Sequence, residues 1–104
     1  MEFNDLQKKI IANAQDYGER YNVIIDKDFV LLKLVEEIGE FAEAILTQEK
    51  KSRPEKLLPP DQSAKKVAQE LADVVGMAIV AADVMGVDLE RALHDKWIKE
   101  IPST

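Results

Sequence analysis

Glu70-Leu71-Ala72-Asp73-Val74-Val75-Gly76-Met77-Ala78-Ile79-Val80-Ala81-Ala82 is the stretch that decides the fold. Beyond Asp73 it is apolar on every side, and a helix of that kind is buried all round, by its own fold or by a partner subunit. Its first turn nevertheless carries two acids. Glu70 and Asp73 lie on the stripe that continues as Met77, Val80, Ala81 and Val84, so they begin a line that is otherwise interior. Ser63 or Asp61 is the expected cap of this helix, which runs to Met85 and stops at Gly86, a natural residue after a helix end.

Working outward, the preceding helix is expected from a cap at Asp28 to about Lys50. Leu31, Leu34, Val35, Ile38, Phe41, Ala42 and Ile45 give it a broad apolar face centred near Ile38. Glu36 and Glu43 project away from that face, as solvated charges do. Glu37 lies at its margin on the line Val30, Leu34, Phe41, Ala44, and Glu40 sits one turn along. Between the two helices, Lys51 to Gln62 holds Pro54, Pro59 and Pro60 and reads as a loop. An N-terminal helix opens at Asn4, with Gln7 completing a capping box, and carries the stripe Phe3, Leu6, Ile10, Ala14. Gly18 ends or loosens it, and Tyr21 to Ile25 is a connector because no second strand exists to pair with it. Asp88 caps a fourth helix with Leu89, Leu93, Trp97 and Ile101 on one face, closed by Pro102. The expected class is all-α, a four-helix bundle.

At 104 residues the chain fits one domain, spanning 1–104, whose core is small enough to favour association. Hydrophobic residues at 46% and charged residues at 33% describe an ordinary globular protein. A net charge of −6 argues against a nucleic-acid polymer as partner. No cysteine is present, which excludes disulfides, zinc–thiolate sites and thiol nucleophiles. The N-terminal residues lack signal-peptide regions and no apolar run reaches bilayer length, so no membrane role is expected and a cytoplasmic location is.

An isolated Glu-x-x-Glu is usually a solvated pair. Two acidic pairs, each at the edge of an apolar face on neighbouring antiparallel helices, are a different matter. A buried carboxylate without a partner costs several kcal/mol or takes up a proton. A divalent cation removes that cost, and magnesium suits oxygen ligands while leaving positions for water and phosphate. Spacing alone reaches a carboxylate-lined cation site in a helical bundle, and no further.

The residues Leu34-Val35-Glu36-Glu37-Ile38-Gly39-Glu40-Phe41-Ala42-Glu43-Ala44-Ile45, then Glu70-Leu71-Ala72-Asp73-Val74-Val75, resemble the all-α nucleoside triphosphate pyrophosphohydrolases of the MazG-like superfamily. That group includes dimeric dUTPases, dCTP pyrophosphatases and phosphoribosyl-ATP pyrophosphatases. Both halves of its signature, EExxE and ExxD, are intact, and Gly86 to Leu93 with Lys96 is similar to its fourth-helix region. The resemblance implies a single MazG-like domain, and its completion by oligomerisation into a homodimer or a dimer of dimers is expected because the third helix has more apolar surface than four short helices can cover. It implies that Glu37, Glu40, Glu70 and Asp73 coordinate Mg2+, with Mn2+ as a substitute. It also implies hydrolysis of a nucleoside triphosphate between the α and β phosphates, releasing a nucleoside monophosphate and pyrophosphate. Glu36 matches a position given the role of general base. Lys96 matches a phosphate-holding lysine, with a solvated helix lysine as the equal alternative.

Lys33, one turn before Glu37, reads as a structural partner of that acid, and a substrate contact is the weaker alternative. Trp97 is expected in the core rather than on a base, and His94 at the surface. The chain departs from the family pattern after Lys96, where Trp97-Ile98-Lys99-Glu100-Ile101-Pro102 has no asparagine, and in a slightly long gap between the acidic motifs. Competing readings are a phosphoribosyl-ATP or modified-nucleotide pyrophosphohydrolase and a non-catalytic dimerisation module with a residual cation site. A di-iron bundle requires Glu-x-x-His pairs, and Arg91 stands where His94 needs its glutamate.

Overall fold

Four α-helices, α1 (Phe3–Tyr21), α2 (Lys27–Gln48), α3 (Pro60–Val84) and α4 (Leu89–Leu93), make up the computed structural model, which describes residues 1–98. There is no strand among the described residues. A 3-10 turn at Pro54–Lys56 interrupts the loop between α2 and α3, and a π turn at His94–Ile98 follows α4. The expected places of Ile101 and Pro102 on the fourth helix lie outside the described residues.

The helix ends differ from expectation in instructive ways. Helix α1 begins one residue before Asn4, so the Asn4–Gln7 capping box does not form. Gly18 lies inside α1 and is buried. A Cβ there would stand 3.0 Å from the Val23 carbonyl oxygen and 3.1 Å from the Ile25 side chain, so glycine lets the connector fold back onto the helix. The chain turns at Asn22, which adopts the left-handed conformation at φ 54°. Asp26, not Asp28, caps α2, its carboxylate accepting from the Phe29 amide at 2.9 Å. Helix α3 starts at Pro60, before both Asp61 and Ser63, because proline is tolerated in a first helical turn. It ends as expected, with Gly86 at φ 67° and the Val87 amide donating to the Ala82 carbonyl at 2.8 Å.

The core joins three helices. Val30 of α2 packs with Val80 and Ala81 of α3, and Ile10, Ala14, Ile25, Phe29, Met77 and Val84 close around them. Helices α2 and α3 form the principal pair, α1 lies against α3, and α4 runs directly into the π turn that follows it.

The burial of α2 is rotated from the expected one. The inward line is Val30, Glu37, Ala44, at two-turn intervals, while Ile38, the expected centre, is half exposed. Leu31 and Val35 share its exposure, as do Leu71 and Val75 on α3. Each of these stripes follows its helix's inward line by one residue, about 100° around the axis. Because the helices are antiparallel, both stripes turn to the same side and make one bare apolar face. On α3, Val80 and Ala81 are interior as expected. Trp97 is not a core residue of the single chain, being 80% exposed, and Leu93 is exposed as well.

Candidate metal centre

The antiparallel seam between α2 and α3 sets which side chains meet. Val30 reaches Val80 and Ala81 at one end, Glu37 meets Glu70 and Asp73 in the middle, and Thr47 shares a groove with Ser63 towards the other end. Glu37 and Glu70 therefore occupy positions that hydrocarbon fills elsewhere along the same line. They are 9% and 6% exposed, whereas Asp73 and Glu40 lie at the rim.

One carboxylate oxygen each from Glu37, Glu70 and Asp73 lie within 4.8 Å of one another. Glu40 stands outside that trio but beside Glu37. Burial pushes the Glu37 carboxyl above its ordinary pKa, and the neighbouring charges of Glu40 and Asp73 push it the same way. The Lys66 ammonium sits 2.9 Å from Glu70 Oε1, and that hydrogen-bonded pairing holds its own pKa up. Glu37 Oε2 and Glu70 Oε2 are buried with no hydrogen-bond partner. Two orphaned anionic oxygens aimed into a cluster of hard oxygen donors are a poor arrangement for the protein alone. They fit a divalent cation, since the spread of the trio is about two metal–oxygen bonds of roughly 2.1–2.5 Å.

Two grooves meet at the acids. One, of about 560 Å³, is lined by Glu37 and Asp73 together with Asn13 and Tyr17 of α1, Phe29 and Lys33. The other, of about 440 Å³, is lined by Glu40, Glu43 and Glu70 with Lys56 and Lys66. The lysines Lys33 and Lys66 hold equivalent places. Each precedes its helix's first site acid by four residues, giving Lys33, Glu37, Glu40 on α2 and Lys66, Glu70, Asp73 on α3. With the helices antiparallel, the two lysines fall on opposite sides of the acids.

Among the residues expected from sequence, Glu37, Glu70 and Asp73 come together and Glu40 adjoins them. Lys33 pairs with Glu36 at 3.4 Å rather than with Glu37. Glu36 is exposed and lines neither groove. Lys96 lies in the exposed π turn, and neither groove takes a residue from α4 or that turn. His94 is at the surface beside Asp95. Sequence reading missed Lys66, Asn13 and Tyr17. The signal for Lys66 was present, as the repeat of the Lys33 spacing. Nothing in the pattern of α1 marked Asn13 or Tyr17, because their relevance depends on where α1 docks.

An all-α hairpin that gathers carboxylates from EExxE and ExxD defines the class of all-α nucleotide pyrophosphohydrolases. Residues 3–95 match the phosphoribosyl-ATP pyrophosphohydrolase family, PRA-PH, and the chain belongs to it. No curated protein and no solved structure matches the chain. Family membership makes it a pyrophosphohydrolase that acts on a nucleotide.

Proposed function

We propose that this chain, as a single domain over residues 1–104, hydrolyses a nucleoside triphosphate between its α and β phosphates, releasing a nucleoside monophosphate and pyrophosphate. The observation that carries the reading is the pair of orphaned, buried carboxylate oxygens on Glu37 and Glu70 within a family of pyrophosphohydrolases. Glu37, Glu40, Glu70 and Asp73 hold Mg2+, or Mn2+ in its place. When bound, the ion neutralises phosphate charge and lowers the pKa of an attacking water.

The chain's own residues supply the rest. The seam fixes the buried acids, so their geometry is set before substrate arrives. The α1-side groove receives the nucleoside, with Tyr17 and Phe29 offering ring surfaces and Asn13 an amide that can donate and accept. Lys33 lines the same groove and meets phosphate oxygens from that side. Glu36, exposed beside Glu37 and tied to Lys33, reaches the attacking water only by turning its side chain from that ion pair into the centre, and there accepts the proton.

The bare face of Leu31, Val35, Ile38, Leu71 and Val75 pairs with a second copy, giving a homodimer or a dimer of dimers. Lys96, which lines neither groove of its own chain, then meets a phosphate in the partner's site. No helix among the described residues is long and apolar enough to cross a membrane, and the proposed location is the cytoplasm. Sedimentation that showed a stable monomer at micromolar concentration would refute the dimer.

A second reading, phosphoribosyl-ATP as the substrate, is favoured by the family match itself. A panel of ribo- and deoxynucleoside triphosphates and phosphoribosyl-ATP, each with magnesium, decides between them by scoring monophosphate and pyrophosphate. Release of inorganic phosphate alone would mean that a different bond is cut.

A further inference from the structure

Lys66 is placed unlike an ordinary helix lysine. Its ammonium lies 2.9 Å from Oε1 of Glu70, a side chain that is more than nine-tenths buried and whose other oxygen has no partner. Glu40 and Asp73 act on the same ammonium from α2 and from the next turn of α3. Among the described residues Lys66 is thus the cation ion-paired to a buried acid of the centre, whereas Lys33 pairs with the exposed Glu36 and acts on Glu37 only through its charge. Yet its side chain is half exposed and carried on a flexible four-carbon stem, so it can leave at small cost.

Charge in the adjoining groove depends on what Glu70 holds. Three carboxylates, Glu40, Glu43 and Glu70, face two ammonium groups, Lys56 and Lys66, and Lys56 is engaged with Glu43 at 3.3 Å. As it stands the groove is anionic and repels phosphate. A doubly charged ion against Glu70 reverses the sign, and the ammonium it replaces is then surrounded by a groove that attracts anions.

Resting on the reading of this centre as a cation site, we propose that Lys66 is its resident counter-ion and, once released, its pyrophosphate-binding residue. In the cation-free chain Lys66 neutralises Glu70. When Glu70 takes a divalent cation, Lys66 swings into the groove beside Lys56 and holds the phosphates furthest from the nucleoside, which lies in the α1-side groove. Phosphate is thereby admitted to this groove only with or after the cation. No covalent step is involved.

The test titrates the full chain with Mn2+, read by electron paramagnetic resonance of the free ion, and then titrates the Mn2+-loaded protein with inorganic pyrophosphate by calorimetry. Lys66→Met is expected to bind Mn2+ about fivefold more tightly than the natural chain, because its buried carboxylate has lost a competing cation. The loaded variant is expected to bind pyrophosphate about tenfold more weakly, the loss of one charge-assisted contact. Lys66→Arg should restore pyrophosphate binding, and Lys65→Met, which removes the same charge one residue away, should change neither titration. An unchanged or weaker Mn2+ affinity in Lys66→Met, or an equal effect in Lys65→Met, overturns the proposal. If the natural chain itself takes up no Mn2+, the cation-site reading falls and this inference with it. That failure shows in the natural chain, whereas failure of the Lys66 role alone shows only in the variants.

Discussion

The seam between α2 and α3 is filled in two ways. At one end Val30, Val80 and Ala81 close it with hydrocarbon, and in the middle Glu37 and Glu70 occupy the same inward line with carboxylates. The first region needs nothing outside the chain, because removal from water is itself favourable for apolar groups. The second leaves two oxygens unsatisfied and pushes Glu37 towards its protonated form. A bundle built for stability alone would have continued the hydrocarbon. On the proposed reading the acid section is where stability has been given up for a function, as perturbed carboxylates in functional sites often show.

The largest effect should come from removing an acid. Glu70→Ala is expected to lower magnesium-dependent hydrolysis by more than about a hundredfold, beyond what loss of a supporting group around a metal costs, as scored by pyrophosphate release. Wild-type activity in that variant would place the chemistry elsewhere. Next, magnesium at about a hundred times its dissociation constant should raise unfolding stability by about 2.7 kcal/mol. Denaturant titrations should show this gain for the natural chain and not for Glu70→Ala. At the hydrocarbon end, Val30→Ala should cost about 2 kcal/mol of stability with or without magnesium. Activity per folded molecule should be little changed, and a magnesium-dependent cost would erase the distinction between the two regions.

The smallest effect is on pH. The Glu37 carboxyl is raised above 4.5 in the folded chain, so the native state binds the extra proton. The contribution of Glu37 to the stability of the metal-free protein is then greatest below the ordinary glutamate range and is lost as pH rises through the raised pKa. Glu37→Gln in chelator should flatten that fall and melt higher at pH 7. A melting-temperature difference between Glu37→Gln and the natural chain that shrank as pH rose through the same range would contradict the assignment.

Much of this could be read from sequence, and the failures have physical reasons. The acids stood out because the helical period places Glu70 on the line of Met77 and Ala81, a relation that survives into the fold unchanged. The facing direction of α2 did not survive. Its apolar arc is wider than one neighbouring helix can cover, so the middle of the arc, at Ile38, is not the middle of what a single hairpin buries. Periodicity reports the sum of all surfaces a helix hides and does not divide them. Asp26 and Asp28 are equally good caps by type, and the docking of Phe29 into the core favours the earlier one. Lys66 was passed over because a lysine four residues before a glutamate is common on exposed helices. Only burial of the glutamate makes the pair unusual.

The lysine and acid spacing shared by α2 and α3 has one more consequence. Two antiparallel helices bearing the same charge order read nearly alike from either end, in the manner of a palindrome. The hairpin therefore gives an elongated anion little reason to prefer one orientation. Helix α1 breaks that equivalence by walling one approach with Asn13 and Tyr17, where the other is walled by Lys56 and Leu58 from the loop between α2 and α3. On the proposed reading, the handedness of substrate entry is thus written in the segment that carries none of the signature acids.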